Sequence, residues 1–258
     1  MEEKELDQYR RGYEKAARYY NLFANNDDVP FYLLYAKKQG PPILDLAAGT
    51  GRISLELARS GFEVVALESS PAMIEEFRRQ LEIHPDNVSN RITIVEGNML
   101  DFNLSRTFPL VIIPSSFGHA LTTDEQLALL RCVRNHLRDD GLFIVDLFPG
   151  GRQPLHGSFA ENPVDLGDGT TVSRSGTIET NAITQILSLD LTFTIRDKAT
   201  GRVLETISQK SGAALVFNRE ADLLMRAAKL NIVDEFGGFD RTPYTEDSGR
   251  RILVLSKD

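Results

Sequence analysis

The chain has 258 residues and a net charge of −8, from 37 acidic and 29 basic side chains. This length suits one large domain with a full core, with or without a small insertion. The acidic balance disfavours nucleic acid as a partner, since phosphate contacts need clustered Lys and Arg. With one cysteine, Cys132, no intrachain disulfide can form, which fits a cytoplasmic protein. We expect neither a signal peptide nor a transmembrane helix, because no suitable apolar run occurs.

Residues 1–40 are predicted to form an N-terminal helical segment, rich in tyrosine and phenylalanine. Its aromatic side chains could pack on a core, or the segment could form a lid over a ligand. The two interpretations are compatible.

From residue 41 onward, apolar strands alternate with helices. Strands are predicted at 43–46, 64–67, 92–95, 110–113 and 142–147, and helices at 51–60, from Ser70-Pro71 and at 123–138. Ser70 is a plausible N-cap with Pro71 in the first helical position, and Gly61 is placed to end the preceding helix. Apolar strands that alternate with helices indicate a parallel sheet covered on both faces.

The pattern then changes to alternation with period two from Ile183 to Ile195, which is typical of an antiparallel strand. A hairpin turn is predicted at 198–201. A helix over 218–229 and strands at 232–236 and 251–255 close the chain. The predicted fold class is therefore α/β, a Rossmann-like, doubly wound, seven-stranded and mostly parallel sheet with an antiparallel β insertion before the last helix and strands.

Three regions follow from this pattern. Residues 41–150 and 217–258 are predicted to form the Rossmann-like domain, preceded by the helical segment 1–40. Residues 151–216 are predicted to form the antiparallel insertion, which would serve as a substrate cap or an oligomer contact.

Ligands of doubly wound sheets bind at the carboxyl ends of the strands, and the informative side chains collect there. Asp45 ends the first strand, and Gly49 and Gly51 form a turn that lets a ligand approach the backbone closely. Glu68 ends the second strand, where a carboxylate can accept both hydroxyls of a ribose. Asn98 follows the third strand and could accept from an adenine amino group, with Met99 as an apolar wall. Together these residues predict a site for an adenosyl ligand.

Two kinds of adenosyl ligand could occupy such a site. A dinucleotide site uses three spaced glycines and places pyrophosphate on a helix N-terminus. Here Ala47 occupies the first glycine position, and the Asp45 carboxylate would repel a phosphate. A sulfonium amino acid has no phosphate and carries a cationic amine, so Asp45 favours that ligand.

The segment 45–52 (DLAAGTGR) resembles the first motif of class I S-adenosylmethionine-dependent methyltransferases, and 68–73 (ESSPAM) resembles their segment after the second strand. The segments 97–99 (GNM) and 137–142 (LRDDGL) are similar to the adenine segment and to the turn before strand five. The resemblance implies S-adenosylmethionine as cofactor and S-adenosylhomocysteine as product. It implies cofactor contacts from Tyr20, Asp45, Ala47, Gly49, Gly51, Arg52, Glu68, Ser69, Met73, Asn98, Met99, Pro114 and Ser115.

The chain departs from the family pattern at three positions. Ala47 stands where the family has Gly, which implies that the backbone there avoids positive φ. Asn98 stands where the family has Asp, so an acceptor is kept and a charge is lost. Pro109 stands where the family often has Asp.

The segment 114–119 (PSSFGH) is similar to one in amino-sugar N,N-dimethyltransferases. In that interpretation His119 is the general base or orients the nucleophile, since imidazole transfers protons near neutral pH. The alternative is a packing or capping histidine. By the same resemblance Tyr19 and Tyr20 would lie over the cofactor.

We therefore expect methyl transfer to a nitrogen or oxygen of a small-molecule metabolite, by a monomer or homodimer, with no nucleic-acid or membrane partner. No metal is expected, because the four histidines lack ligand spacing. Two alternatives remain open at this point: a non-catalytic sensor of an adenosyl ligand, and an NAD(P)-dependent oxidoreductase.

Overall fold

The computed structural model describes residues 3–10, 14–147 and 156–258. These residues divide into two compact units. The larger unit comprises Asn25–Gln153 and Leu215–Asp258, and the smaller unit comprises Met1–Ala24 and Pro154–Ala214.

The helices are α1 (Glu3–Arg10), α2 (Val29–Gln39), α3 (Arg52–Arg59), α4 (Pro71–Glu82), α5 (Asp86–Ser89), α6 (Thr123–His136) and α7 (Asn218–Ala227), with 3-10 helices at Glu14–Phe23 and Phe117–His119. The strands are β1 (Ile43–Leu46), β2 (Val64–Glu68), β3 (Ile92–Glu96), β4 (Phe108–Ile113), β5 (Leu137–Leu147), β6 (Gly157–Ala160), β7 (Val164–Asp165), β8 (Thr170–Asn181), β9 (Ile186–Asp197), β10 (Val203–Ala214), β11 (Leu230–Phe236) and β12 (Arg251–Lys257).

The larger unit is built on a seven-stranded sheet in the order β11-β12-β5-β4-β1-β2-β3. Strands β1 to β5 pair in parallel, whereas β12 runs antiparallel to both β5 and β11. This confirms the predicted Rossmann-like fold. The strand order changes direction at β1 and β4, and a doubly wound sheet binds its ligand at such a point.

The core lies on both faces of this sheet. Successive residues of a strand point to opposite faces, so Leu44 and Leu46 pack in one buried cluster and Ile43 packs in the other. All four residues of β1 are buried, which explains why the strand is apolar except for Asp45. Parallel strands covered by helices on both faces need this composition.

Local signals set several helix boundaries as predicted. The Ser70 side chain accepts a hydrogen bond from the Met73 backbone N–H at the start of α4, and Pro71 occupies the first turn. Gly61 follows α3 with φ +95°, a conformation that glycine adopts without strain.

The smaller unit contains an antiparallel sheet in the order β10-β9-β8-β6, with β7 paired to β8. Its buried cluster joins the sheet to the 3-10 helix Glu14–Phe23 of the same unit. Tyr19 stacks on Phe193 with 6.2 Å between the ring centroids, and Phe23 meets Phe193 edge to face.

Several boundaries of the predicted elements were wrong. Strand β9 begins at Ile186, because Ile183 lies in a tight turn whose Ile183 and Thr184 N–H groups donate to the Asn181 side-chain oxygen. Helix α6 ends at His136, two residues early, because Leu137 already pairs with Phe108 of β4. The predicted turn at 137–142 is therefore part of β5. Strands β6 and β7 were not predicted.

The predicted N-terminal segment 1–40 is divided between the two units. Helix α2 belongs to the larger unit because Phe31, Tyr32 and Tyr35 are buried in the same cluster as Ile43 of β1. The predicted boundary at 150/151 lies outside the described residues. No described helix has the length and apolarity to cross a membrane.

Candidate active site

Polar side chains stand at or just beyond the carboxyl ends of five neighbouring strands. They are Asp45 of β1, Glu68 of β2, Asn98 after β3, Ser115 after β4 and Asp146 of β5. Since these strands are parallel and adjacent in the order β5-β4-β1-β2-β3, the five residues gather along one edge of the sheet.

The loop between β1 and α3 is held in a left-handed conformation at three positions. Ala47, Gly49 and Gly51 have φ of 52°, 59° and 82°. The prediction that Ala47 avoids positive φ was therefore wrong. The loop is fixed by hydrogen bonds from the Ala48 N–H to the Leu67 carbonyl and from the Gly51 N–H to the Ala48 carbonyl. These bonds impose the conformation on Ala47 at a cost of about 1–2 kcal/mol.

The two glycines of this loop have different surroundings. A Cβ on Gly51 would lie 2.0 Å from a ring carbon of Phe77, so only glycine fits there. A Cβ on Gly49 would meet no described atom within 4 Å. Gly51 therefore serves packing against α4, whereas Gly49 leaves backbone open to a ligand.

The Glu68 carboxylate ties the loop to the start of α4. Its Oε2 accepts from the Gly49 N–H at 2.8 Å, and its Oε1 accepts from the Ser69 and Ser70 N–H groups at 2.9 and 2.8 Å. A carboxylate offers about four lone-pair sites. One site therefore remains for a further donor such as a ribose hydroxyl.

Asp45 is a buried carboxylate with one oxygen satisfied and one not. Its Oδ2 accepts from the Ser54 hydroxyl at 2.6 Å, and its Oδ1 has no hydrogen-bond partner among the described residues. Burial raises the pKa of Asp45 to about 7, and the Ser54 hydrogen bond and nearby Arg52 oppose that rise. An orphaned buried acceptor fits a cationic donor supplied by a ligand.

Arg52 makes a bidentate ion pair rather than pointing away from the protein. Both of its terminal nitrogens lie 2.6 Å from the Asp28 carboxylate, and Nη1 also donates to the Asn26 side chain at 3.3 Å. The Asp28 side chain is buried. This pair joins the segment before α2 to the first turn of α3, so Arg52 has a structural partner beside the predicted cofactor site.

The Asn98-Met99 loop is anchored from α6. The Asn98 side-chain oxygen accepts from the Leu100 N–H at 2.9 Å. The His136 Nε2 accepts from the Leu104 N–H at 3.0 Å, and the Cys132 thiol donates to the Leu100 carbonyl. Since His136 accepts at Nε2, its proton is on Nδ1, which donates to the Cys132 carbonyl.

A buried network at the ends of β4 and β5 contains residues that sequence reasoning missed. The Asp146 carboxylate accepts from the Ser115 N–H at 2.6 Å and pairs with Arg250 at 2.5 Å. The Tyr32 hydroxyl lies 3.4 Å from it. Burial raises the pKa of Asp146, and Arg250 and the Ser115 hydrogen bonds oppose that rise. Burial also raises the pKa of Tyr32, with further contributions from nearby carboxylates. The available signal was an acid inside the apolar run 143–148.

The remaining predicted residues occupy varied positions. Met73 is buried in the first turn of α4, Ser69 is exposed, and Pro114 follows β4. His119 is exposed in the 3-10 helix Phe117–His119, where its N–H donates to the Ser116 carbonyl. Tyr20 lies in the smaller unit, so its contact with a cofactor stays a prediction.

The comparisons with known proteins indicate a methyltransferase. Residues 43–141 match the model of a methyltransferase domain family. The chain is 28% identical to a cypemycin N-terminal methyltransferase of Streptomyces over 84% of both proteins. The structure of the CcbJ methyltransferase of Streptomyces caelestis has a TM-score of 0.77 at 24% identity, over 97% of this chain and 99% of that one. The sugar N-methyltransferase KedS8 of Streptoalloteichus has a TM-score of 0.71 at 22% identity, over 93% and 92%.

The sheet order, the glycine loop and the acid at the end of β2 are typical of the class I methyltransferase fold. Together with the domain match over residues 43–141, they indicate an S-adenosylmethionine-dependent methyltransferase. S-adenosylmethionine is its cofactor. The open backbone at Gly49 and the orphaned Asp45 oxygen fit that molecule better than a dinucleotide.

Proposed function

We propose that this enzyme methylates an amine nitrogen of a small molecule. The observation that supports the cofactor site in this proposal is the buried Asp45 carboxylate. Its Oδ1 has no partner within the part of the chain that the structure describes, and Gly49 leaves backbone open in the same loop. The choice of an amine as acceptor is supported by the relatives, since one is named a sugar N-methyltransferase and another an N-terminal methyltransferase.

Each part of the cofactor has a proposed partner in this chain. Asp45 would face the cationic amino group, and the open acceptor site of Glu68 would take a ribose hydroxyl. Asn98 and Met99 would border the adenine. The Asn98 carbonyl oxygen accepts one hydrogen bond from the Leu100 N–H, and its second lone pair would accept from the adenine amino group.

The bound cofactor supplies an activated methyl on a sulfonium, and the sulfur keeps the bonding electrons when nitrogen attacks. The protein then has to orient the amine in line with that bond, and orientation can contribute about 7–11 kcal/mol in favourable cases. An ammonium has no free electron pair, so a proton must leave before attack. We propose His119 as the group that accepts this proton, because it lies in the segment that follows β4.

The test is a product assay with methyl-labelled S-adenosylmethionine and matched acceptors. The panel pairs an amino sugar and a short peptide having a free N-terminus with the same molecules in which hydroxyl replaces the amine. Mass spectrometry should show the label on nitrogen and only with the amine members. Labelling of the hydroxyl members alone would overturn the proposal.

The role of His119 needs its own measurement. We expect His119→Gln to lower kcat by about 10²–10⁴, the usual contribution of general-base catalysis. The decrease should shrink at high pH, where the amine is already neutral. An equal decrease at every pH would reject the base role. Lys229→Gln, an exposed substitution in the C-terminal turn after α7, is the matched control.

A further inference from the structure

We infer that Asp146 is a positioning residue that holds Ser115 in a left-handed backbone conformation and so orients the 114–119 segment for methyl transfer. This inference rests on the proposed function only in placing that segment at the methyl acceptor.

Ser115 adopts an unfavourable backbone conformation, which other contacts must stabilise. Its φ is +50°, in a region that L-residues other than Asn and Asp seldom occupy. Ser115 is also exposed, so burial of its side chain does not compensate. Non-glycine residues in this region persist where the surroundings determine their conformation, and they cluster at functional sites.

Asp146 supplies the constraint. Its Oδ1 accepts from the Ser115 N–H at 2.6 Å, and its Oδ2 accepts from the Ser115 hydroxyl at 3.2 Å. One carboxylate thus accepts hydrogen bonds from both the backbone and the side chain of the same residue. A carboxylate can do this because both of its oxygens accept, whereas an amide has only one accepting oxygen.

The remaining partners of Asp146 keep the carboxylate in place. Arg250 Nη1 lies 2.5 Å from Oδ2 and 3.4 Å from the Ser115 hydroxyl, and the Tyr32 hydroxyl lies 3.4 Å from Oδ1. Arg250 is held in turn against the Phe239 ring, 5.4 Å from its centroid. The Asp146 side chain is wholly buried, so these partners replace the water that would otherwise solvate its charge.

The sheet explains why these two residues meet. Ile113 of β4 pairs with Val145 of β5, so the chains leave the sheet side by side, with Asp146 next to the turn at Ser115. Beyond that turn the Ser116 carbonyl accepts from the His119 N–H, and Phe117 is buried. The direction in which His119 leaves the sheet therefore depends on the conformation of Ser115.

The decisive substitution is Asp146→Asn, which keeps the shape and places an amide N–H₂ against donors. We expect kcat to fall by about tenfold to a hundredfold, as for a small misplacement of a reacting group. The affinity for S-adenosylhomocysteine should fall by a clearly smaller factor than kcat, since Ser115 is one of many implied cofactor contacts. Loss of cofactor affinity equal to the loss of kcat would overturn the positioning role.

A rescue separates positioning from general stability. Glycine adopts positive φ without penalty, so Ser115→Gly in the Asp146→Asn background should restore part of the lost kcat. The kcat of the single variant Ser115→Gly gives the effect of losing the Ser115 hydroxyl, which is subtracted from the result of the double variant. Glu235→Gln is the control, because it removes one of the two ion pairs of the adjacent Arg251. It should lower Tm and leave kcat unchanged. Absence of rescue would overturn the inference.

Amide hydrogen exchange tests the hydrogen bond from the Ser115 N–H to Asp146 without any substrate. In the wild-type protein the Ser115 amide should exchange slowly although the residue is exposed, and Asp146→Asn should release it. Fast exchange in the wild type would overturn the inference even if the variant fails to fold. Failure of amine methylation would instead count against the proposed function and leave this result intact.

Discussion

The Glu68 carboxylate is bonded to the Gly49 N–H at 2.8 Å, which links the end of β2 to the glycine loop after β1. The same carboxylate accepts from Ser69 and Ser70 at the start of α4. Glu68 thus organises the backbone of the site, and we propose that its remaining acceptor position binds a cofactor hydroxyl.

Glu68→Gln should therefore weaken both stability and binding. One of its oxygens becomes an N–H₂ that faces backbone donors, and a hydrogen bond to a charged group contributes about 1.5–3 kcal/mol. We expect Tm to fall and the dissociation constant of S-adenosylhomocysteine to rise by about tenfold or more. Thermal denaturation and calorimetry measure the two effects. Glu75→Gln, an exposed acid on α4, is the control and should change neither.

Alanine at the two loop glycines should affect different properties, mainly stability at Gly51 and mainly cofactor affinity at Gly49. Gly51→Ala forces a methyl into the Phe77 ring and should destabilise the protein by about 2 kcal/mol or more. Gly49→Ala meets open space, so it should cost only about 1 kcal/mol of backbone strain. It should nevertheless cause the larger loss of cofactor affinity, because its methyl occupies the ligand's approach. An equal loss of affinity for both folded variants would contradict this division of roles.

Ala47→Gly should stabilise the protein by up to about 1 kcal/mol. It removes the strain of an alanine at φ 52°, and that gain is partly offset by the greater freedom of glycine in the unfolded chain. The neighbouring Ala48→Gly is the control and should destabilise, since Ala48 is outside the left-handed region. Denaturant unfolding measures both. A lower midpoint for Ala47→Gly would show that its methyl group contributes packing.

Asp45 should make stability depend on pH. Its pKa rises from an ordinary 3.8 to about 7 on folding, so the folded state holds this proton more tightly. The contribution of Asp45 is therefore favourable at low pH and is lost as the pH rises through the window from about 4 to about 7. The slope reaches at most about 1.4 kcal/mol per pH unit for one proton. Subtracting the pH profile of Asp45→Asn from that of the wild type should reveal this slope.

The affinity for the cofactor should depend on pH in the opposite direction from stability. A cationic amino group beside Asp45 favours the ionised carboxylate, so binding below about pH 7 should release a proton. Calorimetry in buffers of different ionisation enthalpy would detect that proton. Affinity should fall as the pH decreases through this window, and Asp45→Asn should lack the effect. Parallel pH profiles for the two proteins would remove Asp45 from this role.

Much of the fold was predictable because it depends on local patterns. Apolar runs separated by helical periodicity defined the strands of the parallel sheet, and Ser70-Pro71 defined the start of α4. The errors lay where tertiary pairing overrides the pattern. Leu137 looks like the last turn of α6 but pairs with Phe108, and Ile183 continues an alternation but lies in a turn made by Asn181.

The sequence by itself determined the ligand class. The acid before the glycine loop, the acid after β2 and the Asn-Met pair after β3 are each a few residues from a strand end, so their convergence follows from the parallel topology. Only the tertiary structure shows which side chains near the site already have partners within the protein. Arg52 is paired with Asp28, and Glu68 with three backbone groups, through contacts between residues distant in the chain.

The hydrogen bonds between Asp146 and Ser115 and the left-handed backbone of Ala47 were also visible only in the tertiary structure. The hydrogen bonds that hold these two residues at positive φ come from neighbouring strands, so the residues next to Ala47 and Ser115 in the sequence do not predict them. Local periodicity therefore specified where the strands end, and the family resemblance of the residues at those ends implied the ligand. Long-range hydrogen bonds decided how the backbone at those ends is shaped.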